Sequence, residues 1–120
     1  RGVTTGGYLA QIREYEKIDL RPEMEHLGKE LKELTDDFEK RVAQVVAEGN
    51  NELTDFHARR LVEMAANIIM GYLLLHDAQR DPLYASSAEL FISLARTENM
   101  VRSDYIASFE EKQLGLYKVS

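Results

Sequence analysis

From residue 24 to residue 109 the apolar side chains recur at steps of three and four, in three long rows separated by short breaks. That spacing follows the 3.6-residue period of an α-helix. Strand-like alternation is absent throughout, and the β-branched residues do not cluster. The first row is Met24, Leu27, Leu31, Leu34, Phe38, Val42 and Val45, with Lys and Glu on the other face. The second is Leu61, Met64, Ala65, Ile68, Ile69, Tyr72, Leu75 and Ala78. It is apolar nearly all round in its middle, which predicts the most buried helix. The third is Leu83, Leu90, Phe91, Leu94, Ala95, Val101, Tyr105, Ile106 and Phe109. A shorter opening segment, about Tyr8 to Ile18, sets Leu9, Ile12 and Tyr15 on one side.

The breaks carry helix-boundary chemistry. Pro22 and Pro82 are the two prolines, each placed where a helix begins and its missing N–H costs nothing. Asp81 is the expected N-cap before Pro82, and Asp19 or Arg21 stands at the matching entry before Pro22. Gly49-Asn50-Asn51 accepts left-handed backbone angles and ends a helix. Thr54, followed by Asp55, is the expected cap of the next, and Gly115 the expected stop of the last.

Loops this short force neighbouring helices antiparallel. The expected fold is all-α, an antiparallel up-and-down four-helix bundle occupying residues 1–120 as one domain. Its three long helices of about 26 to 30 residues run about 40 to 45 Å. The shorter N-terminal helix forms the fourth wall or covers a groove. The row Leu9, Ile12 and Tyr15 suits burial within the bundle or against a second copy.

Composition narrows the function classes. A chain of 120 residues with 44% hydrophobic and 30% charged residues buries a core without staples. Without cysteine it has no disulfide, thiolate metal site or cysteine nucleophile, and it fits a reducing compartment. A formal charge of −6 argues against nucleic acid and anionic membrane surfaces as partners. The longest uninterrupted apolar stretch, Ile68–Leu75, is far short of the roughly 20 residues that cross a bilayer. The segment Arg1–Gly7 lacks the apolar core of a signal peptide, so a cytoplasmic location is expected.

No constellation reads as a catalytic, cofactor-binding or metal site. Glu23 and His26 have the Glu-x-x-His spacing of carboxylate di-iron bundles, but the second such pair is missing. His57 and His76 lie too far apart on one helix to share an ion. His76-Asp77 and Arg80-Asp81 fall at a helix end, where histidine and arginine complement the dipole. Ser86 and Ser87 follow in the next first turn, where capping is the usual role. Arg96, Glu98, Arg102 and Asp104, with Arg59-Arg60 beside Glu63, read as a solvated ladder, with interhelical ion pairs or docking points for another domain as the alternatives. Gly6-Gly7 lacks the strand and lysine of a phosphate-binding loop. A small-ligand pocket between helices would fall near Met64, Ile68, Tyr72 and Phe91.

Several stretches resemble the C-terminal helical extension of bacterial acyl-CoA dehydrogenases. They are Gly6-Gly7-Tyr8-Leu9, Leu31-Lys32-Glu33-Leu34-Thr35, His76-Asp77-Ala78 and Ala95-Arg96-Thr97-Glu98-Asn99-Met100-Val101. The resemblance covers nearly the whole chain, and the opening Arg1 agrees with a domain excised from a longer polypeptide. It implies a flavoenzyme parent that oxidises acyl-CoA thioesters, with FAD and the catalytic glutamate in upstream domains. No residue here matches a catalytic or FAD-binding motif of that family. The implied role is a non-catalytic accessory domain whose partners are those upstream domains or a second subunit. A stand-alone helical interaction or ligand-binding module is the alternative.

Overall fold

The computed structural model describes the backbone of residues 2–109 and the side chains of residues 7–109. Among them are four α-helices and no strand: α1, Gly2–Tyr15; α2, Glu25–Ala47; α3, Asn51–Arg80; and α4, Ala85–Ser108. A single 3-10 turn leads into α2 (Pro22–Met24) and another into α4 (Pro82–Tyr84). Both begin on a proline, as the missing N–H and preset φ favour.

The helix ends follow local chemistry, with three departures from expectation. Asp81 does cap, its carboxylate accepting from Leu83 N at 3.0 Å. The cap of α3 is Asn50, not Thr54: Asn50 Oδ1 accepts from Leu53 N at 3.1 Å. Thr54 lies one turn inside, its hydroxyl donating to Asn50 O. Asparagine at that place satisfies an orphan N–H four residues earlier than threonine would. Gly49 carries the positive φ, +63°, that ends α2. Arg21 holds the N-cap position before Pro22 without a side-chain cap. Instead Gln79 of α3 grips the α1–α2 connection, accepting from Arg21 N and donating to Asp19 O, both at 3.1 Å. Helix α1 starts at Gly2 and ends at Tyr15, earlier at both ends than the expected Tyr8 to Ile18. No proline interrupts that stretch of backbone. Helix α4 ends at Ser108, and Gly115 lies outside the described residues.

Helices α2, α3 and α4 pack around a common core, and α1 lies in the groove between α2 and α3. From α1, Ile12 is fully buried while Leu9 and Tyr15 pack half-buried on the same core, so that row belongs to its own bundle. Arg13 fastens α1 to α2, reaching Asp36 at 3.0 Å and Glu39 at 2.7 Å while also pairing with Glu16. Among the described residues α3 alone is long and apolar enough to match a membrane span, when hydropathy is averaged over 18 residues. Its central position accounts for this, since the other three helices all pack on it. Gly71, inside its apolar run, marks a close approach: a β-carbon there would meet Leu31 Cδ2 at 2.6 Å and Ile92 Cγ1 at 3.5 Å.

The largest departure is the rotation of α4. Ala88, Ile92, Ala95, Asn99, Ser103 and Ile106 face the core. Of the expected row, Ala95, Ile106 and Phe109 are buried and Phe91 and Tyr105 are half-buried. The other four point to solvent: Leu83 is 79%, Leu90 65%, Leu94 56% and Val101 65% exposed. Helix α4 therefore has apolar rows on two opposite faces, and the bundle uses the one with the smaller side chains. Alanines let the helices approach, and the inward Asn99 is satisfied: its Nδ2 donates to Met64 O at 3.2 Å, and its Oδ1 accepts from Asn67 Nδ2 at 3.1 Å. A buried amide is tolerated on those terms.

Stability separates the two faces. In dilute solution Ile92→Ala should cost about 2–5 kcal/mol. Leu90→Ala should stay within about 0.5 kcal/mol of the parent. Urea unfolding followed by circular dichroism measures both, and comparable losses would place Leu90 in the core.

Candidate functional site

The residues singled out from sequence do not converge. Glu23 sits exposed on the 3-10 turn before α2. His26 lies one turn on, with Nε2 3.5 Å from the Glu89 carboxylate of α4, both exposed. Among the described residues no three His, Asp or Glu side chains come together as metal ligands. His76 stands edge-on against Tyr15 of α1, ring centroids 5.7 Å apart. Asp77 pairs with Arg80, and Ser86 and Ser87 are exposed on the first turn of α4.

The charged ladder turns out to bind helices to one another. Arg102 of α4 reaches Glu63 of α3 at 3.2 Å and Glu98 at 3.6 Å, while Glu63 also meets Arg59 at 3.8 Å. Arg96 lies 3.9 Å from Glu30 of α2. Met64, Ile68 and Tyr72, where a ligand pocket was expected, are fully buried, with Phe91 half-buried at the margin. Burial, and then the nearby Glu16 carboxylate, raise the Tyr72 phenol far above its ordinary pKa, so it stays protonated.

The concave surfaces are open grooves. One of about 390 Å³ runs beside the α1–α2 connection, with Leu20 and Gly28 in its wall and both Lys29 and Glu25 on its rim. Another, of about 210 Å³ between α2 and α4, is lined by Glu30, Glu33, Asp37 and Asp104 with Arg96. Four carboxylates around one cation repel phosphate, so this groove does not fit a dinucleotide.

Sequence reasoning missed an aromatic cluster where the start of α3 meets the end of α4. The rings of Phe56 and Phe109 lie 4.9 Å apart, and the Arg60 guanidinium carbon stands 4.4 Å from the Tyr105 centroid and 4.9 Å from Phe56. His57 stands edge-on to Phe109 at 5.0 Å and is 2% exposed. Its Nδ1 is buried with no hydrogen-bond partner among the described residues. The i, i+3 and i+4 spacing of Phe56, His57 and Arg60 was the available signal. Burial, then the charge of Arg60, push the His57 pKa below its ordinary value.

The surface feature that the bundle leaves unused is the outer face of α4. Asn67 opposite Asn99, and Gly71 opposite Ile92, set the antiparallel register of α3 and α4. That register brings the exposed Met70 of α3 level with Leu94. Leu90, Leu94 and Val101 continue the row along α4, and Leu83 stands exposed on the turn before it. An apolar row of this extent usually marks a contact surface.

The fold has known counterparts. The family model described as acyl-CoA dehydrogenase C terminal matches residues 4–114. The crystal structure of an acyl-CoA dehydrogenase family protein from Porphyromonas gingivalis superposes with a TM-score of 0.85 at 37% identity. The match covers 90% of this chain and 94% of that one. No curated protein matches.

A histidine that holds its proton less tightly when folded than when unfolded makes stability depend on pH. His57 favours the folded state fully above about pH 6.5, and stability falls as pH drops from there toward its depressed folded value. Urea midpoints at about pH 7.5 and pH 5 should fall more for the parent than for His57→Phe. Equal falls would contradict this.

Proposed function

The chain belongs to the acyl-CoA dehydrogenase C-terminal family, and on that premise we propose that it is a non-catalytic accessory domain of an FAD-dependent acyl-CoA dehydrogenase. In this reading residues 1–120 follow the catalytic domains of a longer, cytoplasmic bacterial polypeptide that acts on fatty acyl-CoA thioesters. Its task is assembly, through packing of domains or subunits. The flavin and the group that removes the substrate proton are held upstream.

The observation that supports the reading is the pairing of a built surface with an unbuilt pocket. The outer face of α4 presents Leu90, Leu94 and Val101 to solvent, with Leu83 on the turn before it, although the same helix has a complete inward face. Leucine in that setting gains free energy only when another surface covers it. Several charged groups, by contrast, pair between helices: Arg102 with Glu63, Arg96 with Glu30, Arg13 with Asp36 and Glu39. Groups tied in this way hold helices together and are not poised to move a substrate proton. The carboxylate-lined groove between α2 and α4 suits neither a flavin pyrophosphate nor the phosphates of coenzyme A.

The parent enzyme with and without this domain provides the test. Removing the domain should alter the sedimentation coefficient or lower the melting temperature, while flavin content and turnover per bound flavin stay within a few-fold. Stoichiometric binding of FAD or an acyl-CoA thioester by the isolated chain would overturn the reading. So would loss of turnover with assembly and flavin content intact.

A further inference from the structure

Helices α2 and α4 touch near both ends. His26 Nε2 lies 3.5 Å from Glu89, and Gln44 Nε2 donates to Ile106 O at 3.1 Å. The contacts advance together along both helices, so the two run parallel. Charge is divided unevenly along their seam. Toward the helix starts the carboxylates have partners, Glu89 in His26 and Glu30 in Arg96. Beyond Glu30 the pattern changes. The side chains of Glu33, Asp37 and Asp104 line one groove of about 210 Å³, and among the described residues none of the three makes an ion pair or hydrogen bond.

Carboxylates alone would be ordinary solvated surface. Ser103 sets this groove apart. It lines the same groove, is only 6% exposed, and its hydroxyl has no hydrogen-bond partner among the described residues. Hydroxyls inside helices commonly donate to the carbonyl four residues back. Thr35, Thr54, Thr97 and Ser108 all do so here. Ser103 instead leaves a nearly buried hydroxyl facing the groove, an arrangement that costs free energy until a ligand pairs with it.

The wall beside it is apolar, formed by Leu34 and the exposed Met100. A ligand matched to this set is cationic, rich in N–H donors and carried on an apolar stem. A primary ammonium meets each condition: it offers three donors, enough for two carboxylates and a hydroxyl, and its methylene chain can lie against Met100. A bare metal ion fits less well, because no three acidic groups among the described residues converge to ligate one.

We propose that the groove between α2 and α4 binds an alkylammonium group, held by Asp37, Asp104 and Ser103. Glu33 precedes Asp37 by four residues, which sets their β-carbons about 6 Å apart and provides for a second ammonium on a short linear stem. Occupancy of this groove is independent of what covers the outer face of α4, so it stands or falls apart from the assembly reading.

Titration of the isotope-labelled chain, followed by amide chemical shifts at constant ionic strength, tests this with two probes. One is putrescine; the other is Nα-acetyl-lysine methylamide, whose ε-ammonium is free. Amides near Asp37 and Ser103 should shift and saturate with a Kd of about 5 mM or below. Asp37→Asn with Asp104→Asn should weaken binding at least about 10-fold. Ser103→Ala, which leaves every charge in place and suits a helix, should weaken it about three- to tenfold. A response to putrescine alone assigns the site to free polyamines, and a response to the lysine derivative assigns it to a lysine of a partner protein. Shifts that do not saturate below about 50 mM, that tetramethylammonium reproduces, or that Ser103→Ala leaves at full strength overturn the proposal.

Discussion

The rotation of α4 about its own axis decides what this molecule shows to its surroundings. That rotation is set by the close approach of α4 to α3. Ala88 and Ala95 keep the spacing short, and Asn99 is tied to Met64 O and Asn67 across the seam. Turning the helix to bury its leucines would drive larger side chains into space sized for alanine. It would also break the hydrogen bonds that tie Asn99 to Met64 O and Asn67, each worth about 0.5–1.5 kcal/mol. The small row therefore goes in and the large row stays out.

The hydrophobic rows of α2 and α3 were legible in the sequence because each has one dominant apolar face, or is apolar all round. Met24, Leu27, Leu31, Leu34, Phe38 and Val45 are all buried, as are Leu61, Met64, Ala65, Ile68, Tyr72, Leu75 and Ala78. Helix α4 misled because periodicity identifies a face without saying which of two faces points inward. Size and hydrophobicity favoured Leu90 and Leu94, while close packing favoured Ala88 and Ala95. Asn99 and Ser103 read as surface residues in isolation. Their burial depends on partners, Met64 O and Asn67 for Asn99, that only the fold brings near. The same limit hid the His57 cluster, whose rings come from helix segments some 50 residues apart in sequence.

The paired charges and the surplus apolar face belong to one reading of the described residues. Charged residues that a chemist would test first, Arg96, Glu98 and Arg102 among them, cross-brace the helices. The family assignment leaves open what the domain contacts, and the geometry adds an uncovered apolar face on α4. The far end of the bundle is organised differently. There His57, Phe56, Tyr105 and Phe109 pack ring against ring, with Arg60 stacked over two of them. Such ring packing ties the end of α4 to the start of α3.

Because the chain contains no cysteine, a single introduced thiol reports its own surroundings without background. Maleimide labelling of Leu94→Cys and Ala95→Cys, at dilute concentration in folded protein, measures the rotation of α4 at adjacent positions. Leu94→Cys should react at nearly the rate of a free thiol, and Ala95→Cys about 100-fold or more slowly, limited by local opening. A faster reaction at position 95 than at position 94 would contradict the account.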